Sequence, residues 1–327
     1  MQKQIKTTVL IPRQLGRTSL SLYPMSFGAS RLVGSSDIEA AQTINAAFQW
    51  GMNHVDTAPY YGFGESERLT GIGLENIQSN YYLSTKVGRL VRPDHQGNLT
   101  TIFDYSYQGA EQSLSESLQR LQKNQIDFAI LHDVSHRWHA DQTHAMFDQA
   151  MKGAYQAMLH WREQGLIKAI GIGINDCSIS LRAIAEADFD FIMLAGRTTL
   201  LDQKGFDQVL PLCLQRQIGV VVAAPFNSGI LATGPTASAT YFSQKPPSDI
   251  LDKAQRIQKI CLDFDVPLPA AALQLPLMHP AVTSVLAGYQ NAQQVHDNHQ
   301  AACLTIPQDF WLALKKADLI TSASLQH

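Results

Sequence analysis

The sequence predicts a parallel (β/α)8 barrel, the TIM-barrel fold, with functional groups gathered where its strands end. Three observations carry that expectation. Eight short apolar runs alternate with longer amphipathic segments along the whole chain. Several runs (FAIL, KAIGIG, FIML, GVVVAA) are almost continuously apolar, as strands buried on both faces must be. No GxGxxG turn follows an early strand, which weighs against a doubly wound sheet. Gly171-Ile172-Gly173 lacks the third glycine and runs into Asn175. With no linker or low-complexity tract, the chain reads as one domain over residues 1–327.

Taken in order, the predicted strands cover residues 22–28, 53–56, 81–86, 127–132, 168–173, 189–195, 219–224 and 284–288. Ahead of the first, Val9-Leu10 and the segment Arg13 to Arg17 are expected to form a hairpin that plugs the barrel bottom. The first helix opens on a capping box, Ser36 with Glu39. Ile38, Ala41, Ile44 and Phe48 share one face, and Gly51 stops it. A later helix aligns Leu114, Leu118 and Leu121, and another is predicted from Met151 to Glu163, ending at Gly165.

Composition narrows the function. A formal net charge of −3 gives no electrostatic reason for a nucleic-acid or anionic-membrane partner, so a small organic substrate is expected. The opening residues lack the ~7–15-residue apolar stretch of a secretory signal, and no apolar run approaches the ~20 residues of a membrane span. A cytoplasmic location is expected. Cys177, Cys213, Cys261 and Cys303 have no CxxC spacing and are expected as free thiols. His132, His136, His139 and His144 lack an acidic or thiol partner at ligand spacing, so no metal is expected.

Four polar residues fall at strand ends: Asp56 and Tyr61 after the second strand, Lys86 ending the third, and His132 ending the fourth. Each alone has an ordinary explanation as a helix cap, a packing ring, a solvated cation or a core histidine. Their convergence on one rim is the informative feature. A free tyrosine, with a pKa of ~10, is a slow acid or base near neutrality, and a nearby ammonium favours its phenolate. Lys86 can be that ammonium, Asp56 can hold it charged, and His132 can orient a substrate oxygen.

The run Gly51-Met52-Asn53-His54-Val55-Asp56-Thr57-Ala58-Pro59-Tyr60-Tyr61-Gly62, continuing to Gly64-Glu65-Ser66-Glu67, resembles the signature of the aldo-keto reductase superfamily. Ser84-Thr85-Lys86 and Ile130-Leu131-His132 match the family's lysine and histidine segments, and the resemblance runs from Gly16 to Asn298. It implies the barrel fold and a catalytic tetrad of Asp56, Tyr61, Lys86 and His132, with Tyr61 as acid/base. Leu194-Ala195-Gly196-Arg197, Thr199 to Gln203, Phe226 to Leu231 and Ala270 to Gln274 resemble the branch of aldose (D-threo-aldose, L-fucose, L-galactose) and pyridoxal dehydrogenases. The implied reaction moves a hydride between a nicotinamide cofactor and an aldose or pyridoxal-like hemiacetal, giving a lactone.

The family holds its dinucleotide without a Rossmann turn. The resemblance implies cofactor contacts from Asn175 at the carboxamide, from Asn227, Ser228, Gly229 and Leu231 after the seventh strand, and from Gly288, Gln290, Gln294 and Asn298 after the eighth. Ile174, Ala195 and Ala223 depart from the serine, glutamine and stacking tyrosine of many relatives. NADPH-dependent relatives bring a Lys or Arg to the ribose 2′-phosphate, whereas Gly288, Gln290 and Gln294 stand at those positions. NAD is therefore expected over NADP, unless a basic residue arrives from another loop. Tyr23, Phe27, Arg31, His136 and Trp138 are candidates for the substrate pocket. Two other readings stay open: a general NADPH-dependent aldehyde/ketone reductase, and a redox-sensing subunit that binds cofactor.

Overall fold

The computed structural model describes residues 8–325. The opening residues 1–7, on which the expectation of no signal segment partly rests, lie outside them. Eight parallel strands close a barrel: β1 (Met25–Gly28), β2 (His54–Asp56), β3 (Tyr82–Val87), β4 (Phe128–His132), β5 (Ala169–Ile174), β6 (Phe191–Ala195), β7 (Gly219–Ala223) and β8 (Val282–Gly288). Each pairs with its neighbours in sequence, and β8 returns to β1 with Gly288 opposite Gly28. Helices on the outside connect them, which is the (β/α)8 arrangement.

Two apolar cores follow from strand alternation. Phe128, Ile130, Phe191, Met193, Val221 and Leu286 fill the barrel, and Leu15 and Leu22 from the N-terminal hairpin close its lower end. The larger core lies between strands and helices. Gly16 sits left-handed (φ 54°) against the backbone of residues 217–219, where any side chain would collide.

Three expectations need correction. The N-terminal hairpin pairs Arg13–Gln14 with Ser21–Leu22, and Val9-Leu10 takes no part; Val9 is exposed. The helix predicted from Met151 is two helices, Thr143–Lys152 and Ala154–Glu163, broken at Gly153, which packs on the Tyr105 backbone. The helix Asp37–Gln49 keeps its Ser36/Glu39 capping box, but its buried face is Ala40, Thr43, Ile44 and Ala47, leaving Ile38 exposed. An unforeseen antiparallel hairpin, Arg89–Pro93 with Leu99–Phe103, follows β3. All four cysteines are free and buried. Among the described residues, no single helix is long and apolar enough to cross a membrane.

Candidate active site

Strand register delivers the four polar residues to one rim. Asp56 ends β2 opposite Ser84 of β3, Lys86 stands two residues further on, and His132 ends β4. Tyr61 opens the tight turn Tyr61–Gly64 that follows β2. Lys86 Nζ donates to Asp56 Oδ2 at 2.5 Å and to the Thr57 carbonyl at 2.8 Å. The same nitrogen lies 4.8 Å from the centre of the Tyr61 ring, and the Tyr61 and His132 rings meet edge-on at 6.1 Å. Asp56, Lys86 and His132 are buried and Tyr61 is half-buried.

Electrostatics follow from that burial. Burial raises the Tyr61 phenol above its ordinary value of 10, with the Lys86 ammonium pulling the other way. The expected downward pull of the ammonium is present but outweighed. Burial alone would lower the Lys86 ammonium, yet Asp56 and Tyr61 reverse this and leave it raised. Burial pushes the Asp56 carboxyl up, opposed by Lys86 and by the Ser84 hydroxyl. Burial, then Lys86 and Arg89, hold the His132 imidazole well below its usual range, so it is neutral.

Two charged neighbours escaped sequence reasoning. Arg89, at the base of the second hairpin, is buried and donates to Asp133 Oδ2 at 2.7 Å. Its guanidinium lies 3.8, 4.3 and 4.5 Å from the ring centres of Tyr60, Trp138 and Phe103. Asp133 Oδ2 in turn stands 3.4 Å from His132 Nε2. A buried arginine needs a counter-charge, but nothing local in the sequence says which one.

The predicted cofactor contacts line the far side of the same rim. Asn175 follows β5, and its carbonyl accepts from Arg197 Nε at 2.7 Å. Asn227 is buried, its Nδ2 3.4 Å from the Gly196 carbonyl and its Oδ1 without a hydrogen-bond partner. Asn227, Ser228 and Gly229 are all left-handed (φ 46°, 65° and 110°), and Leu231 is buried in the short helix beyond. The loop that follows is strapped back over them: Ser243 N–H donates to Ser228 Oγ at 3.0 Å and Thr240 Oγ1 to the Ser228 carbonyl at 2.9 Å. This carries Phe242 close to Gly196. After β8, Gln290 N–H donates to Gln294 Oε1 at 2.9 Å, and Asn298 lies further along helix Ala292–Cys303. A Gly288 side chain would stand 2.6 Å from Arg31 Cγ, so the Arg31 stem occupies that space. Arg31 is thus a cation beside the eighth strand that came from another loop.

The pocket candidates divide. Trp138 belongs to the Arg89 cluster beside Tyr60. Phe27 is fully buried and stacks on Tyr289, while Tyr23 binds Asn53 and His299 near the start of β2; both are packing residues. His136 Nδ1 lies 2.6 Å from Asp176 Oδ2, an acidic partner that sequence spacing hid. Among the described residues, no three His, Cys, Asp or Glu side chains group as metal ligands.

Comparison with known proteins places the chain in a family. The Aldo/keto reductase family model matches residues 24–319. The chain is 34% identical to pyridoxal 4-dehydrogenase of Microbacterium luteolum, covering 94% of this chain and 98% of that one. It is 37% identical to D-threo-aldose 1-dehydrogenase of a Pseudomonas species, covering 92% and 95% respectively. An aldo-keto reductase from Bacillus halodurans, solved in its holo form, superimposes with a TM-score of 0.79 at 25% identity, over 97% of this chain and all of that one. The chain therefore belongs to the aldo/keto reductase family and is an oxidoreductase.

Proposed function

We propose that this oxidoreductase oxidises the hemiacetal carbon of an aldose or a pyridoxal-like ring to a lactone, with NAD as acceptor and Tyr61 as acid/base. The observation that carries the reading is the Lys86 ammonium, paired with Asp56, under the Tyr61 ring beside neutral His132. The names of the two dehydrogenases at 34% and 37% identity support the substrate class. A bound nicotinamide ring supplies the two-electron chemistry at the substrate carbon.

In this reading Tyr61, as the phenolate that Lys86 stabilises, takes the hemiacetal hydroxyl proton and becomes the neutral phenol, while Asp56 keeps Lys86 in place. His132, uncharged, hydrogen-bonds the substrate oxygen and aligns it with Tyr61. The residues fit a dinucleotide. Asn227 Oδ1 is buried and unpartnered, a side chain at Gly229 would meet open space, and the Arg31 guanidinium is a ready partner for an anion. Asn175, Ser228, Leu231, Gly288, Gln290, Gln294 and Asn298 complete the proposed contacts.

The test is a panel of L-fucose, L-galactose, D-arabinose, pyridoxal and a simple aromatic aldehyde with both cofactors. Turnover confined to the aromatic aldehyde would overturn the proposal. Because burial raises the Tyr61 pKa, its phenolate fraction at neutrality is small and grows with pH. Oxidation is expected to accelerate through pH 7–9, by about tenfold per unit where chemistry limits the rate. The reverse reduction, which uses the protonated phenol, should stay flat over that range. An oxidation rate that falls above pH 7 would contradict Tyr61 as the base.

Cofactor choice has its own readout. Gln290 and Gln294 are neutral where a 2′-phosphate needs a cation, and we assign Arg31, beside Gly288, to the pyrophosphate that both cofactors share, so fluorescence titration is expected to give a Kd for NAD about tenfold or more below that for NADP. Tighter NADP binding, lost selectively in Arg31→Ala, would show that Arg31 reaches the phosphate and reverse the preference.

A further inference from the structure

A continuous line of buried hydrogen bonds crosses the barrel beneath the site, through four adjacent strands. Ser284 Oγ of β8 lies 2.7 Å from Ser26 Oγ of β1, which lies 3.0 Å from His54 Nδ1 of β2. His54 Nε2 lies 3.0 Å from Ser84 Oγ of β3, and Ser84 donates to Asp56 Oδ1 at 2.7 Å. Asp56 Oδ2 takes the Lys86 ammonium. All six side chains are at most 2% exposed.

Proton counting gives this line one direction. The ion-paired Asp56 carboxylate can only accept, so the single Ser84 proton is spent on it. Ser84 Oγ must then accept from His54, which puts a proton on Nε2. His54 is neutral, since burial and then Lys86 hold its imidazole down to about 3, so Nδ1 is bare and accepts from Ser26. Ser26 has spent its proton and accepts from Ser284. Every proton in the row points toward Asp56.

We infer that His54 is a positioning residue for the Asp56–Lys86 pair, acting through Ser84 as a neutral imidazole protonated at Nε2. This rests on the proposed role of that pair in tuning Tyr61. His54 fixes the Ser84 hydroxyl so that its proton cannot turn away from Asp56. Without it, Asp56 keeps Lys86 but loses an oriented donor, and the carboxylate protonates at higher pH. The charged and titratable groups around this row are Lys86 and Tyr61 at the Asp56 end, with His132, Asp133 and Arg89 beyond Tyr61. His54 itself faces the Phe128 ring on its remaining side.

The test combines spectroscopy with two substitutions on the full-length chain. Nitrogen-15 NMR of labelled histidine should find His54 protonated at Nε2 and not titrating between pH 5 and 9. A proton on Nδ1, or titration in that window, would overturn the inference. His54→Leu should move the acid limb of the kcat/KM profile for the reductive reaction, where Tyr61 is protonated throughout, up by about one pH unit and lower kcat about tenfold, with substrate KM little changed. His54→Gln, whose amide can donate to Ser84 and accept from Ser26, should restore the limb. Leu and Gln variants with the wild-type limb would sink the idea. If His54→Leu fails to fold, Ser84→Ala serves, and should raise the limb in the same way; an unmoved limb there would equally refute the inference. The NMR measurement needs no substrate, so a wild-type chain inactive across the sugar and pyridoxal panel refutes the proposed reaction while leaving the His54 assignment standing.

Discussion

Tyr61→Phe is expected to lower oxidative turnover by about 10²–10⁴, the usual contribution of one positioned acid/base, while NAD binding changes little. The phenyl ring keeps its packing against Lys86 and His132. Only the ionisable oxygen is removed, and a fall in kcat with an unaltered cofactor Kd is the pattern to look for. The residual rate should also lose its rise between pH 7 and 9. A variant that turns over within a few-fold of wild type would assign the proton transfer elsewhere.

Lys86→Met is expected to have the second large effect, on both stability and rate. The pair with Asp56 lies almost wholly out of water, and removing one partner of such a pair costs about 3–5 kcal/mol, because the other charge is left uncompensated. Asp56 would then take up a proton, and the Tyr61 phenol, freed of the ammonium, would rise further in pKa. Thermal unfolding should show a Tm several degrees lower, with turnover lost as fully as in the phenylalanine variant. Adding Asp56→Asn to Lys86→Met should recover part of the stability and none of the activity. A double-mutant cycle that comes out additive would mean the two side chains do not act as a pair.

How much of this could be read from residue order varies with what holds each part in place. The barrel strands were legible to within about three residues, because continuous apolar runs have no other stable place than a sheet covered on both faces. The start of β1 was misplaced. The run 22–28 contains Pro24, which separates the hairpin strand Ser21–Leu22 from Met25–Gly28. Asp56, Lys86 and His132 were legible for the same reason as the strands, since strand ends in a closed barrel share one rim. The hairpin carrying Arg89 was missed, because RLVRP ends in proline and its mate LTTIF is mostly neither buried nor strictly alternating. The segment from Asn227 to Ser243 was harder still. Its shape depends on left-handed residues, including Phe242 and Ser243, whose conformations leave no periodic trace. Arg31 could not be placed near Gly288, 257 positions away, without the β8–β1 pairing that brings Gly28 opposite Gly288.

The hairpin after β3 is anchored at its base and, further out, by Arg92, which pairs with Glu116 at 3.1 Å, but its tip is held differently. Arg89 fastens its base beside the reacting groups, whereas Leu99 and Ile102 stand largely open to solvent and the turn from Asp94 to Asn98 is held by its own short hydrogen bonds. That asymmetry makes the outer half a graftable module. Its tip can change in length or sequence while the root keeps the proton machinery undisturbed.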